Sequence, residues 1–122
     1  MGLDVAQPDA VNRLQQQVKA TMERWQQAVR DYGRVVYSNS LGAEAMVLTD
    51  IICNDVPEID LVTIDTGRLH EETYELLEKL ERRYKRKIRV VTPDARQLEE
   101  LVAAQGINGF YHGLDARLAC CR

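Results

Sequence analysis

No stretch of the 122 residues approaches the ~18 consecutive apolar side chains that a membrane-spanning helix needs, so the sequence points away from a membrane partner. The first ten residues are polar and lack the apolar core of a secretory signal. Met1-Gly2 opens like a myristoylation signal, but Ala6 stands where Ser or Thr is required. A basic excess is missing too. Sixteen Lys and Arg face nineteen Asp and Glu, for a net charge of −3, which speaks against a nucleic-acid partner. The one dense basic run, residues 82–87, falls where a helix should end, and cations there complement the helix dipole. Cysteine is sparse: Cys53, Cys120 and Cys121. Three thiols without a signal segment fit a reducing cytoplasm, where cysteine serves metals or catalysis more often than disulfides. Repeats and low-complexity segments are absent, and the length suits a single domain over 1–122 or part of one.

What is present is an alternation of short β-rich runs and amphipathic stretches. Residues 1–8 read as a loose tail. Over 9–33, Val11, Leu14, Val18, Met22, Trp25, Val29 and Tyr32 recur at spacings of three and four, the mark of a helix with one apolar stripe, with Asp9 as its N-cap and Gly33 as its stop. Met22 and Trp25 lie on that stripe and read as core. Strands are predicted at 35–37, 61–64 and 88–91. The helix beginning at Ala43 is apolar on most faces and is expected to end at Cys53. The helix after Glu71 and Glu72 carries the stripe Tyr74, Leu77, Leu80 and Tyr84, with Glu81 at its edge reaching water. A third follows Thr92-Pro93-Asp94, with Pro93 near its first position, and closes at Gln105-Gly106. Residues 108–113 read as a loop, and a last helix runs from Leu114 to the cysteine pair. This order predicts an α/β fold with a parallel sheet covered on both faces, a three-layer sandwich.

Two loops can carry chemistry. Ser38-Asn39-Ser40-Leu41-Gly42 leaves a strand and enters a helix, so backbone N–H groups and the positive end of the helix dipole converge on one point, a ready anion site. Ser38 and Ser40 add hydroxyl donors, Gly42 permits close approach, and Glu44 is expected to turn away. The run is neither G-x-G-x-x-G nor G-x-x-x-x-G-K-[ST]. A serine-rich connecting loop is the alternative, and spacing alone does not separate the two. The second loop, Asp65-Thr66-Gly67-Arg68, follows the second strand and is expected beside the first, because ligands of open parallel sheets sit beyond the carboxyl ends of the strands. Asp65 and Thr66 suit a ribose or base edge, and Arg68 an anion. The alternative is a turn whose Asp65 or Thr66 caps the next helix. His70 and His112 read as surface or loop histidines, and Cys53 as a buried, inert thiol. Cys120 and Cys121 stand apart: an exposed thiol pair is an oxidation hazard unless something uses it, yet an iron–sulfur cluster normally takes four cysteines.

The ordered combination of Ser-Asn-Ser-Leu-Gly-Ala-Glu, then Ile64-Asp65-Thr66-Gly67-Arg68-Leu69-His70-Glu71-Glu72-Thr73-Tyr74, then Ala119-Cys120-Cys121-Arg122 resembles the bacterial assimilatory adenylyl-sulfate reductases and their phosphoadenylyl-sulfate reductase relatives, from about residue 34 onward. The resemblance implies an adenine-nucleotide hydrolase-like α/β sandwich of the phosphate-loop pyrophosphatase group. It places Ser38, Ser40, Leu41 and Gly42 at the phosphosulfate, and Ile64, Asp65, Thr66, Gly67 and Arg68 along the nucleoside. Cys120 and Cys121 would be two ligands of a four-iron, four-sulfur (4Fe-4S) cluster. Members with the cysteine pair typically use adenylyl sulfate, so the pair favours it here. A tail thiolate attacks the substrate sulfur and releases AMP, and thioredoxin or glutaredoxin then frees sulfite, in the service of cysteine biosynthesis.

The later Cys-x-x-Cys and the tail cysteine of that family are missing, so the chain reads as an N-terminal portion that binds the nucleotide without turning it over, and no catalytic residue is assigned. A sheet cut after three strands leaves an edge that favours a homo-oligomer. Three other readings compete. A phosphoadenylyl-sulfate reductase would gain affinity from the 3′-phosphate, and a non-catalytic nucleotide-binding module would bind AMP without iron. An ATP-pyrophosphatase ligase expects a Ser-Gly-Gly-x-Asp-Ser loop, against which Leu41 and Glu44 argue.

Overall fold

The computed structural model describes residues 8–121, the side chain of Cys121 apart. The 1–7 part of the expected tail lies outside the described residues. Nine elements follow in order: α1 (Pro8–Tyr32), β1 (Val36–Ser38), α2 (Ala43–Asp55), β2 (Asp60–Ile64), α3 (Glu71–Tyr84), β3 (Arg89–Val91), α4 (Ala95–Gln105), a 3-10 turn η1 (Gly109–Tyr111) and α5 (Leu114–Cys121). The strands form one parallel sheet in the order β1-β2-β3, with Val36 opposite Asp60 and Val62 opposite Arg89. The chain divides into two compact units. One comprises residues up to Ile64 together with Leu69–Val91, and the other Asp65–Arg68 with Thr92–Arg122.

In the first unit the core follows the hydrophobic pattern. Ile52, Val56, Ile59, Leu61, Leu80 and Ile88 are buried and mutually packed, and Met22, Trp25, Val29, Leu76 and Leu77 lean on them from α1 and α3. Each fully buried aliphatic side chain contributes about 1.5–3 kcal/mol by leaving water. Trp25 also meets Tyr37, with ring centroids 6.3 Å apart. α2 places Ala45, Thr49, Ile51 and Ile52 inside and leaves Glu44, Asp50 and Asn54 exposed.

Several local expectations shift. α1 begins at Pro8, so Asp9 sits in its first turn and acts on the dipole rather than as N-cap. Its stripe is used only in part: Val11 and Leu14 are exposed, and Tyr32 is 81% exposed at the end of the helix. α2 continues past Cys53 to Asp55 and stops at Val56, whose side chain turns into the core. Pro93 lies outside α4. Asp94 is the N-cap, accepting from the Gln97 amide at 3.0 Å.

Glu81 does not reach out to water. Its Oε2 accepts from the Ile88 amide at 3.2 Å and lies 3.9 Å from Lys87 Nζ, tying the end of α3 to the approach of β3. Arg82 and Arg83 stand in the last turn of α3, as the dipole argument requires, and Arg82 pairs with Glu78 one turn back. Cys53 is half-buried rather than enclosed. Desolvation pushes its thiol above the ordinary range, with the neighbouring Arg86 guanidinium acting in the opposite direction. Arg86 itself donates to the Ile59 carbonyl. Residues 108–113 hold the η1 turn rather than an irregular loop.

Candidate functional site

The loop between β1 and α2 is fixed by one residue. Asn39 is 2% exposed, and every polar group it carries has a partner. Its amide donates to the Val62 carbonyl at 2.7 Å, and its carbonyl accepts from Thr63 Oγ1 at 3.0 Å, so the backbone of the loop stays pinned to β2 beyond the last ladder pair. Side-chain Nδ2 donates to Thr49 Oγ1 at 2.7 Å, and that hydroxyl donates on to the Ala45 carbonyl at 2.6 Å. Side-chain Oδ1 accepts from the Leu41 amide at 2.8 Å, closing an Asx turn.

The turn has a conformational cost. Leu41 sits at φ +61, a left-handed conformation that L-residues other than Asn, Asp and Gly seldom adopt. It is held there by the bond from Asn39 and by packing of the Leu41 side chain on the core. Gly42, by contrast, has an ordinary φ of −80, and a Cβ there would lie 3.5 Å from Ser40 Oγ, a normal contact. The special backbone position is therefore Leu41, not the glycine.

Gly42 is the N-cap of α2, and no side chain caps this end. The first-turn N–H groups of a helix have no intrahelical partner and form the positive end of the dipole; just before them Ser40 Oγ accepts from the Gly42 amide at 3.4 Å. Ser38, Asn39, Ser40 and Leu41, with Thr63, Ile64, Leu69 and Thr73, line an open cavity of about 270 Å³. It lies past the carboxyl ends of β1 and β2, where ligands of open parallel sheets bind. Glu44 is exposed and does not line the cavity. Its Oε2 comes within 3.9 Å of the position a Gly42 Cβ would occupy, and its charge adds to burial in raising the Tyr37 phenol pKa.

The second predicted loop belongs to the other unit. Gly67 has φ +83, and its amide donates to Asp65 Oδ1 at 2.7 Å, so Asp65 closes its own turn. The N-cap of α3 is His70, which makes no side-chain cap bond; neither Asp65 nor Thr66 serves that purpose. Arg68 reaches across forty residues of sequence to Asn108, Ile107 and Phe110.

A scan for relatives fits this arrangement. The model of the phosphoadenosine phosphosulfate reductase domain matches residues 34–122. The chain belongs to that family. The chain is 43% identical over 103 residues to the adenosine 5′-phosphosulfate reductase of Allochromatium vinosum, covering 84% of the chain and 40% of the relative. The enzyme of the same name from Agrobacterium fabrum is 42% identical over 89 residues, covering 73% and 34%. That from Neisseria meningitidis serogroup B is 34% identical over 110 residues, covering 89% and 45%. The chain thus spans less than half the length of these curated relatives.

The cysteine pair stands on α5, with Cys120 exposed; the side chain of Cys121 lies outside the described residues. Among the described residues no three His, Cys, Asp or Glu converge on a possible metal position. Two adjacent thiols are half of what a four-iron cluster takes, and the third cysteine, Cys53, belongs to the other unit. The donor set of this chain does not by itself fit such a cluster. Among the described residues no helix is long and apolar enough to cross a membrane.

Sequence reasoning missed Asn39, Thr49 and Thr63, the residues that make the loop rigid, and Leu69 and Thr73, which line the cavity. The signal for Asn39 was available: an Asx-turn residue between two serines, followed by a residue without a glycine's freedom. Thr49 and Thr63 carry no local signal, because their partners lie ten and twenty-four residues away.

Proposed function

We propose that this chain is the nucleotide-binding part of an adenylyl-sulfate reductase, an enzyme of the cytoplasm that converts adenylyl sulfate to sulfite and AMP with thioredoxin or glutaredoxin as electron donor. The observation that carries the proposal is the loop at 38–42, which opens an uncapped helix N-terminus above a cavity at the carboxyl edge of a parallel sheet. Ser38, Ser40, Leu41 and Gly42 would take the phosphosulfate. Ile64, Asp65, Thr66, Gly67 and Arg68 would line the nucleoside, as in an adenine-nucleotide hydrolase-like three-layer sandwich. The names of the curated relatives and the cysteine pair both favour adenylyl sulfate over its 3′-phosphorylated form.

The chemistry assigned to these residues is binding. Backbone N–H groups and hydroxyls match the charge of the phosphosulfate, and AMP is a stable leaving group when the substrate's sulfur is attacked and its bond to the phosphate oxygen breaks. No cysteine of the chain takes the role of nucleophile. Cys53 is half-buried with its thiol pushed up, and Cys120 and Cys121 are assigned as two ligands of a 4Fe-4S cluster, through which no step is derived because the chain lacks the other two.

Titration calorimetry with AMP, adenylyl sulfate and 3′-phosphoadenylyl sulfate tests the reading. Adenylyl sulfate and AMP are expected to bind, and Ser40→Ala to weaken both by about ten- to a hundredfold, the loss of one hydrogen bond to a charged group. Absence of binding to all three would sink the proposal, and a gain of tenfold or more from the 3′-phosphate would move it to the phosphoadenylyl-sulfate reductases. No sulfite release is expected from the chain mixed with reduced thioredoxin and adenylyl sulfate.

A further inference from the structure

The guanidinium of Arg68 is committed within its own unit. Nη1 donates to Asn108 Oδ1 at 3.2 Å, Nη2 donates to the Ile107 carbonyl, and the guanidinium carbon lies 4.6 Å from the centroid of the Phe110 ring. Three groups within four consecutive residues are therefore held by one side chain. The receiving turn is itself tight. The Gly109 amide donates to the Gly106 carbonyl, the Tyr111 amide to the Asn108 carbonyl and the His112 amide to the Gly109 carbonyl. A Cβ at Gly109 would come within 2.5 Å of Gln105 Cβ, so only glycine fits against the end of α4. On the other side, the Arg68 amide rests on Thr66 Oγ1 at 3.4 Å and Gly67 on Asp65.

We propose that Arg68 is a positioning residue: its guanidinium clasps the 107–110 turn and so holds the Asp65–Arg68 turn in shape, instead of meeting the anionic end of the nucleotide. To turn its bonded Nη donors onto an anion, Arg68 would have to give up two hydrogen bonds from a cationic donor and a cation–π contact together. The arrangement needs the planar fork and flat face of arginine. Lysine keeps the charge but cannot present two directed donors and stack on a ring at once. The nucleotide half of this inference rests on the function proposed above; the clasp itself does not.

The test compares the full chain with Arg68→Ala, Arg68→Lys and Asn108→Ala. Amide hydrogen exchange is followed at 65–68 and 107–111, and AMP and adenosine binding by calorimetry. Arg68→Ala and Arg68→Lys should both speed exchange in the two turns by about tenfold, with a smaller change for Asn108→Ala. Both Arg68 variants should weaken AMP and adenosine by the same factor, because what is lost is the order of the loop and not an anion contact. Unchanged exchange at 107–111 in Arg68→Ala would overturn the clasp. So would a loss for AMP at least tenfold larger than for adenosine that Arg68→Lys restores. If the unaltered chain binds neither compound, the nucleotide reading fails, and the exchange result alone decides the role of Arg68.

Discussion

Replacing Asn39 with alanine should uncouple the anion loop from the core. The side chain makes two hydrogen bonds at 2.7 and 2.8 Å, in a residue only 2% exposed. Each is worth ~1 kcal/mol net. A further cost of up to ~2 kcal/mol arises because the part-buried Leu41 amide, in a residue already held in the left-handed region, is left without its acceptor. The expected total is about 2–4 kcal/mol.

With a urea m-value of ~2 kcal/mol/M for a chain of this size, the midpoint falls by ~1–2 M. The single tryptophan, Trp25, packs against the same core and reports the transition by fluorescence. Thr49→Val supplies the second corner of a cycle. It removes the acceptor of Asn39 Nδ2 and strands a buried amide, at about 1–3 kcal/mol. Because the two residues share one bond, the double variant should cost less than the two single losses together, by ~0.5 kcal/mol or more. A midpoint shift under ~0.3 M for Asn39→Ala, or strictly additive losses, would refute the reasoning.

Ile52→Ala, at a fully buried site, should cost about 2–5 kcal/mol, whereas Val11→Ala on the exposed part of α1 should stay within about 0.5 kcal/mol; urea midpoints decide both. The Tyr84 hydroxyl donates to Asp50 Oδ1 at 2.7 Å, and its pKa is raised by burial first and then by that carboxylate. The folded pKa lies above the unfolded value of about 10, so the stability this phenol lends is complete below that pH and is lost as pH rises through the folded value. Urea midpoints between pH 9 and 11 should therefore fall less steeply in Tyr84→Phe than in the unaltered chain, and equal slopes would remove the argument. With Cys120 and Cys121 replaced by serine, Cys53 should react with a disulfide reagent at pH 8 more slowly than a free thiol, since desolvation leaves less of it as thiolate. Faster reaction would mean that Arg86 outweighs burial.

The parts of the fold that sequence alone discloses are those governed by short-range periodicity. The three- and four-residue spacing of Val11 to Val29 places α1, and the β-rich runs before Ser38 and Asp65 place two parallel strands within a residue of where they lie. What escapes is anything decided by a distant partner. Glu81 lies at the edge of an amphipathic stripe and would face water in an isolated helix; the Ile88 amide, seven residues on, draws its carboxylate inward. Val11 and Leu14 share the stripe of Met22 and Trp25, but only the second pair has a core to meet. Periodicity tells which face is apolar, not how far along the helix that face finds a neighbour.

The site divides along the same line. Ser38, Ser40 and the start of α2 are legible because a strand, a polar turn and a helix are enough to aim backbone N–H groups at one point. The conformation of that turn is another matter. Glycine draws attention in a loop, yet Gly42 keeps an ordinary φ while Leu41 takes the left-handed position, and it can do so only because Asn39 is locked by Thr49, Thr63 and Val62. Arg68 is the converse case. An arginine beside a predicted ligand loop suggests an anion, and here two of its donors and its flat face are directed at Asn108, Ile107 and Phe110. Residue type sets what chemistry a side chain is capable of; long-range partners decide whether that capacity remains free for a ligand. A mutational scan limited to the polar residues of both loops would thus give large stability losses at Asn39, losses greater for AMP than for adenosine at Ser40, and equal losses for the two at Arg68.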